Sequence, residues 1–354
     1  MGRGAAVPVI ALTGYLGAGK TTLLNHVLRT PGARIGVVIN DFGELNVDAS
    51  LVTGQVDEPA SITGGCICCL PDDGGLDEAL EKLADPRLAL DAIIVEASGL
   101  ADPVAIARII RFSGVKRIRP GGVVDVVDAA AHAGTVDAGK TTGASGATGG
   151  KTAPPARYGV ASLVVVNKLD RIPERDRAAT LAGIEGRVRQ RNPHAHVVGT
   201  VGARIDPALL YDVAAGDDAT GQLSLRELWL EPAHADAADH VHAASVTATS
   251  GGHVDPGALL DLAERPPAGV YRLKGVVAVR HRDRSRSYVL NVVGDAVHVS
   301  AAPPRAVTNS LVAIGTAFDE AQVRARLAAA LRPRDGPAPA AGVRRWQRYR
   351  RASG

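Results

Sequence analysis

The sequence predicts a doubly wound, mainly parallel α/β sheet followed by a smaller α+β domain, and three observations predict it. Continuous apolar, β-branched runs recur at 7–12, 35–39, 92–95, 123–127, 163–166 and 197–201, as in strands buried on both faces. Helix-like segments at 21–29, 76–83 and 104–110 fall between them, as parallel crossovers require. Beyond about residue 240 the period changes: 271–279, 288–293 and 297–300 alternate like antiparallel strands, separated by turn residues at 283–286 and at Gly294-Asp295. A further strand is expected at 311–314. Asp319 with Gln322 three residues on opens a helix in the manner of a capping box.

The chain's 354 residues are long for one domain and comfortable for two. The pattern divides them into an α/β domain over 1–231, a His-containing linker over 232–244, an α+β domain over 245–332 and a basic tail over 333–354. Within the first domain, 129–156 is rich in Gly, Ala and Thr and reads as a surface loop. Gly139-Lys140-Thr141 inside it resembles half of a phosphate loop, but no strand directly precedes it. A net charge of +3 is too small to argue for nucleic acid or an anionic membrane as partner. No apolar run approaches the ~18 residues of a membrane span, and residues 1–6 lack the layout of a signal peptide, so a cytoplasmic protein is expected. Arg344, Arg345, Arg348, Arg350 and Arg351 read as a solvated tail rather than a binding patch, although Trp346 and Tyr349 between them offer a means of docking.

The strongest local signal is Gly14-Tyr15-Leu16-Gly17-Ala18-Gly19-Lys20-Thr21, which fits GxxxxGK[ST] between a strand and a helix. Glycines let successive N–H groups point at phosphate oxygens, and the helix N-terminus adds partial positive charge. Lys20 supplies a point charge for the β- and γ-phosphates. Thr21, followed by Thr22, offers a hydroxyl to Mg²⁺. Glu96 ends a second apolar strand, where a carboxylate can hold the Mg²⁺ shell, and Gly99 can bring an amide to the γ-phosphate. Asn167-Lys168-Leu169-Asp170 ends a third strand in the NKxD pattern. There Asp170 can accept from guanine N1–H and the 2-amino group, a donor pair adenine lacks, and the Lys168 stem can lie along the base. Leu100 follows Gly99 where many GTPases carry a water-positioning glutamine, so slow unassisted hydrolysis is expected.

All three cysteines, Cys66, Cys68 and Cys69, lie within four positions. So odd and tight a cluster is no disulfide framework. As thiolates they suit Zn²⁺, Co²⁺ or Cu(I), and three ligands leave a fourth position open, which suits delivery better than permanent structure. Buried inert thiols and a redox pair are the alternatives. His234, His240 and His242 read as linker residues, with transient metal acceptance as the alternative.

Taken in order, 14–22, Asn40-Asp41-Phe42-Gly43-Glu44 running on to Asp48, Gly65 to Cys69, Glu96 to Pro103 and 167–170 resemble the CobW-type family of P-loop GTPases. The region from Tyr271-Arg272-Leu273-Lys274-Gly275 onward resembles that family's C-terminal domain. The resemblance implies a metallochaperone that binds GTP, Mg²⁺ and Zn²⁺ or Co²⁺, and uses GTP as a switch for metal transfer to a client metalloprotein. It maps nucleotide residues onto Gly17, Gly19, Lys20, Thr21, Glu96, Asn167 and Asp170, and metal residues onto Cys66, Cys68 and Cys69. Asp41 and Glu44 match an acidic segment that can touch Mg²⁺ or the bound metal. The rival readings are a metal sensor or buffer with a structural nucleotide site, and a GTPase serving cobalamin synthesis or a cobalamin enzyme. A second copy of the chain is a further candidate partner.

Overall fold

The computed structural model describes residues 6–30, 33–39, 60–61, 74–97, 102–131, 154–211, 242–281, 284–302 and 308–352. Seven strands form one sheet: β1 (Val7–Gly14), β2 (Ile35–Ile39), β3 (Ala60–Ser61), β4 (Ala92–Glu96), β5 (Ile118–Asp128), β6 (Leu163–Asn167) and β7 (His196–Gly199). Their order is β3-β2-β4-β1-β5-β6-β7, and every pairing is parallel. Residues of β1 from Pro8 to Gly14, and all of β4 and β6, are buried, which is why these strands read as unbroken apolar runs rather than alternating ones.

The helices α1 (Lys20–Leu28), α2 (Gly74–Leu83), α3 (Pro103–Phe112) and α4 (Glu174–Arg191) accompany this sheet. Leu23, Leu24 and Val27 of α1 join Ile10, Leu12, Val124 and Val165 in the core of one face. Leu76 and Leu80 of α2 and Ile106 and Ile110 of α3 join Val9, Ala11, Ile93 and Val95 on the other. Helix α3 starts at Asp102, whose carboxylate accepts from the Val104 amide, with Pro103 in the first turn.

The second sheet is antiparallel, in the order β11-β10-β9-β12-β8. Its strands are β8 (Ala244–Gly251), β9 (Val270–Arg280), β10 (Ser285–Val293), β11 (Ala296–Ala301) and β12 (Thr308–Gly315), with helices α5 (Pro256–Glu264), α6 (Glu320–Ala330) and α7 (Ala340–Ala352). The cap expected at Asp319 is present, its carboxylate accepting from the Gln322 amide at 3.0 Å. The start of β9 reaches the first sheet. Tyr271 and Val293 belong to the first core, the Tyr271 hydroxyl lies 3.1 Å from Ser162 Oγ, and Arg272 donates to the Ala208 carbonyl at 2.9 Å.

One boundary is corrected here, and the tail takes a form the sequence left open. Its arginines belong to α7 and most are exposed, as expected of a solvated segment, while Trp346, fully buried, docks the helix by packing edge-on against Tyr288 at 5.6 Å in the second core. The reason is spacing: the helix turns Trp346 inward and leaves most arginines outward, so burying one indole outweighs the charge around it. Residue 244, expected in the linker, opens β8, an edge strand whose only buried side chain is Val246. Within the expected loop, 132–153 lie outside the described residues, as do 232–241 of the linker with His234 and His240. Ala156, the expected end of that loop, opens a 3-10 turn, Ala156–Gly159.

Candidate nucleotide site

The loop between β1 and α1 lies at the C-terminal edge of the first sheet, with β1 between β4 and β5, the crevice where open α/β sheets bind ligands. Sequence dictates its shape. Gly14, Gly17 and Gly19 have φ of +150°, +76° and +111°, the positive-φ region that disfavours a side chain. At Gly19 a Cβ would also stand 2.3 Å from Asn167 Nδ2. Gly19 begins the helix with no side-chain cap, so the first amides of α1 are not claimed by a capping oxygen.

Around this loop the structure brings together most of the expected residues. Lys20 is buried, and its ammonium donates to the Gly14 carbonyl at 3.1 Å and the Tyr15 carbonyl at 3.5 Å. Thr21 Oγ1 donates to Glu96 Oε1 at 3.2 Å. This hydroxyl and carboxylate form a pair of hard oxygen donors, the chemistry Mg²⁺ prefers. Ala18 is buried and gives its carbonyl to Asn167 Nδ2 at 2.9 Å, while Asn167 Oδ1 accepts from the Ala203 amide at 2.8 Å. Asn167 therefore braces the phosphate loop against the turn after β7.

Lys168 makes contacts that the sequence did not announce. Its backbone is left-handed at φ 63°, and its ammonium binds the Gly17 carbonyl and pairs with Asp128 Oδ2 at 2.6 Å. It is a clamp between the phosphate loop and the end of β5. Burial alone would raise the Asp128 carboxyl, but bonds from Lys168 and from the Ala131 and Ala130 amides outweigh it and hold the group below the usual carboxylate range. Asp170 sits one step along, exposed in the turn Leu169–Arg171. Gly99, Asp41, Glu44, Cys66, Cys68 and Cys69 lie outside the described residues. Among the described residues no group of three or more His, Cys, Asp or Glu could hold a metal ion.

A second network, not expected from the sequence, grips the same loop from below. Asp125 on β5 is buried and bonded by Arg157 from Nε at 3.0 Å to both oxygens and from Nη2 at 2.8 Å. Thr13 Oγ1, at the end of β1, lies 2.9 Å from Asp125 Oδ1. The Arg157 guanidinium lies over the Tyr15 ring, 4.1 Å from its centroid. One carboxylate thus ties down Thr13 directly and Tyr15 through Arg157, on either side of Gly14. Burial raises the Asp125 carboxyl and the Arg157 charge opposes it. The signal was available: an Asp inside a run of buried valines needs a partner, but sequence does not say which cation comes home to it.

Comparison with known proteins agrees with this geometry. The model of the CobW/HypB/UreG nucleotide-binding domain matches residues 8–199, more than half of the chain. The chain belongs to the CobW/HypB/UreG family. The model of the cobalamin synthesis protein cobW C-terminal domain matches residues 243–331, which hold the second sheet with α5 and α6. Similar relatives include the zinc chaperone CobW of Sinorhizobium sp, 38% identical over 135 residues, or 36% of this chain and 38% of that protein. The zinc chaperone YjiA of Escherichia coli is 37% identical over 129 residues, 35% of this chain and 41% of its own length. The zinc-regulated GTPase metalloprotein activator 1 of Dictyostelium discoideum is 35% identical over 120 residues, 30% of this chain and 25% of its own length. Each match therefore spans less than half of the CobW-family relative. None of the helices among the described residues is long and apolar enough to cross a membrane.

Proposed function

We propose that this chain is a GTP-hydrolysing metallochaperone: it captures a transition-metal ion through Cys66, Cys68 and Cys69 and uses GTP binding and hydrolysis to control the ion's transfer to a client metalloprotein. The observation that carries the reading is the braced phosphate loop, in which Lys20, Thr21, Glu96 and Asn167 converge, on a chain that also holds a CxCC cluster. Zinc chaperones among its relatives make Zn²⁺ the favoured cargo, with Co²⁺ as the alternative.

In this reading the loop amides and Lys20 bind the β- and γ-phosphates. Thr21 and Glu96 would hold Mg²⁺, which would supply charge neutralisation at the phosphate oxygens. Asn167 and Lys168 keep the loop and the guanine pocket in register, and Asp170 accepts from guanine. The acidic segment with Asp41 and Glu44 responds to the γ-phosphate and carries the change to the cysteines, about twenty residues on.

Two variants test this. Lys20→Ala should abolish GTP turnover while leaving zinc bound by the cysteines. Replacing all three cysteines by Ser should abolish tight zinc binding while leaving GTP binding in place. Turnover that survives Lys20→Ala, or zinc stoichiometry unchanged in the triple variant, would overturn the assignment.

A further inference from the structure

A cavity of about 520 Å³ opens in the second domain, between the β9–β10 hairpin and α7. Its walls carry four arginines, Arg284 and Arg286 from the hairpin and Arg344 and Arg350 from the helix, together with His281 and Tyr288. Val343, Gln347 and Arg350, spaced i, i+4 and i+7, line one stripe of α7 with Arg344 at its edge, and Trp346 fixes the helix to the core. Val343 contributes an apolar patch to the same wall.

Among the described residues no carboxylate lines this cavity. Arg345, next to Arg344 but outside the cavity, has carboxylate partners, donating to Asp261 and Glu264 at 2.8 Å each. None of Arg284, Arg286, Arg344 and Arg350 forms an ion pair among the described residues. Four like charges around a concave space repel one another and raise the local potential. His281, held at 2.8 Å from the Tyr288 hydroxyl, shows the effect: burial first, then Arg286 and Arg350, push its pKa down.

We propose that this cavity is a binding site for a small phosphate-bearing anion, separate from the phosphate loop. Guanidinium forks match phosphate oxygens in pairs. The volume is that of a small-molecule site rather than a flat macromolecular contact, and Val343 with Ala338 and Ala340 gives an organic substituent an apolar surface. A string of carboxylates on a partner protein is the rival occupant, but the concave form favours a compact ligand.

The test uses the full chain saturated with GDP and Mg²⁺, titrated calorimetrically with inorganic pyrophosphate at low salt. One equivalent should bind. Arg286→Gln and Arg350→Gln should each weaken it by about tenfold, the loss of one charge-assisted bond, whereas Arg348→Gln, which removes a charge outside the cavity, should weaken it far less. Binding should survive Lys20→Ala. Binding lost in Lys20→Ala but kept in Arg286→Gln and Arg350→Gln would place the pyrophosphate on the phosphate loop and overturn the proposal. So would an equal effect of Arg348→Gln, or an oligoglutamate peptide that binds where pyrophosphate does not. All four arginines are exposed, and circular dichroism of each variant separates a lost site from a lost fold.

Discussion

Replacing Arg157 by Ala tests how the phosphate loop is held. Asp125 is 1% exposed and Arg157 8%, so removing the cation strands a carboxylate in the interior. Breaking a buried pair in this way costs about 3–5 kcal/mol. The carboxyl can escape part of that by taking up a proton, since burial already raises it, and Thr13 Oγ1 remains beside it. Loss of the contact with the half-exposed Tyr15 ring adds about 0.5–1 kcal/mol. Urea unfolding at pH 7 should therefore show a loss of about 3 kcal/mol or more. The KM for GTP should rise as well, because Tyr15 and Thr13 flank Gly14. The double variant Asp125→Asn with Arg157→Met should regain most of the stability, since an apolar or neutral replacement of both partners is often close to neutral, but not the KM. A loss under 1 kcal/mol in Arg157→Ala would refute the reasoning, as would a double variant whose cost is the sum of the two single ones.

Other outcomes follow from the same geometry. Asn167→Ala removes the bonds to Ala18 and Ala203 and orphans buried groups at about 1–3 kcal/mol. GTP affinity should fall at least tenfold, and an unchanged affinity in a fluorescence titration would disprove the brace. Burial, with Arg189 second, pushes His196 down to about 4, and burial with Arg119 pushes His298 to about 4. Both sit below the unfolded value near 6.5, so the folded state binds fewer protons between those limits. Stability should be complete above about pH 6.5 and fall as pH drops toward 4, by about 3 kcal/mol from His196 alone. Urea midpoints that stay flat from pH 7.5 to 4.5 would contradict that. Trp346→Ala should cost about 3–5 kcal/mol, measured by denaturation, because α7 loses its anchor in the second core.

The first sheet was legible because its strands are buried on both faces, so 7–12, 92–95 and 163–166 read as unbroken apolar runs. The phosphate loop was legible because its glycines serve geometry that few other residues permit. Helix α4 escaped notice: only Ile184 and Val188 are buried in its eighteen residues, and so polar a helix shows no apolar stripe. Strand β8 was missed for the same reason at an edge. The role of Lys168 and the Asp125–Arg157 pair were illegible for another cause. Ion pairs join residues 32 and 40 positions apart, and sequence spacing does not rank their partners.

The central claim is that nucleotide state controls metal affinity. Zinc affinity of the full chain, measured by competition with a chromophoric chelator, should differ between the complex with a non-hydrolysable GTP analogue and the complex with GDP. A coupling of the usual size makes that difference about 5–150-fold, and zinc should shift analogue affinity by the same factor. Identical zinc affinities in the two complexes would contradict the account.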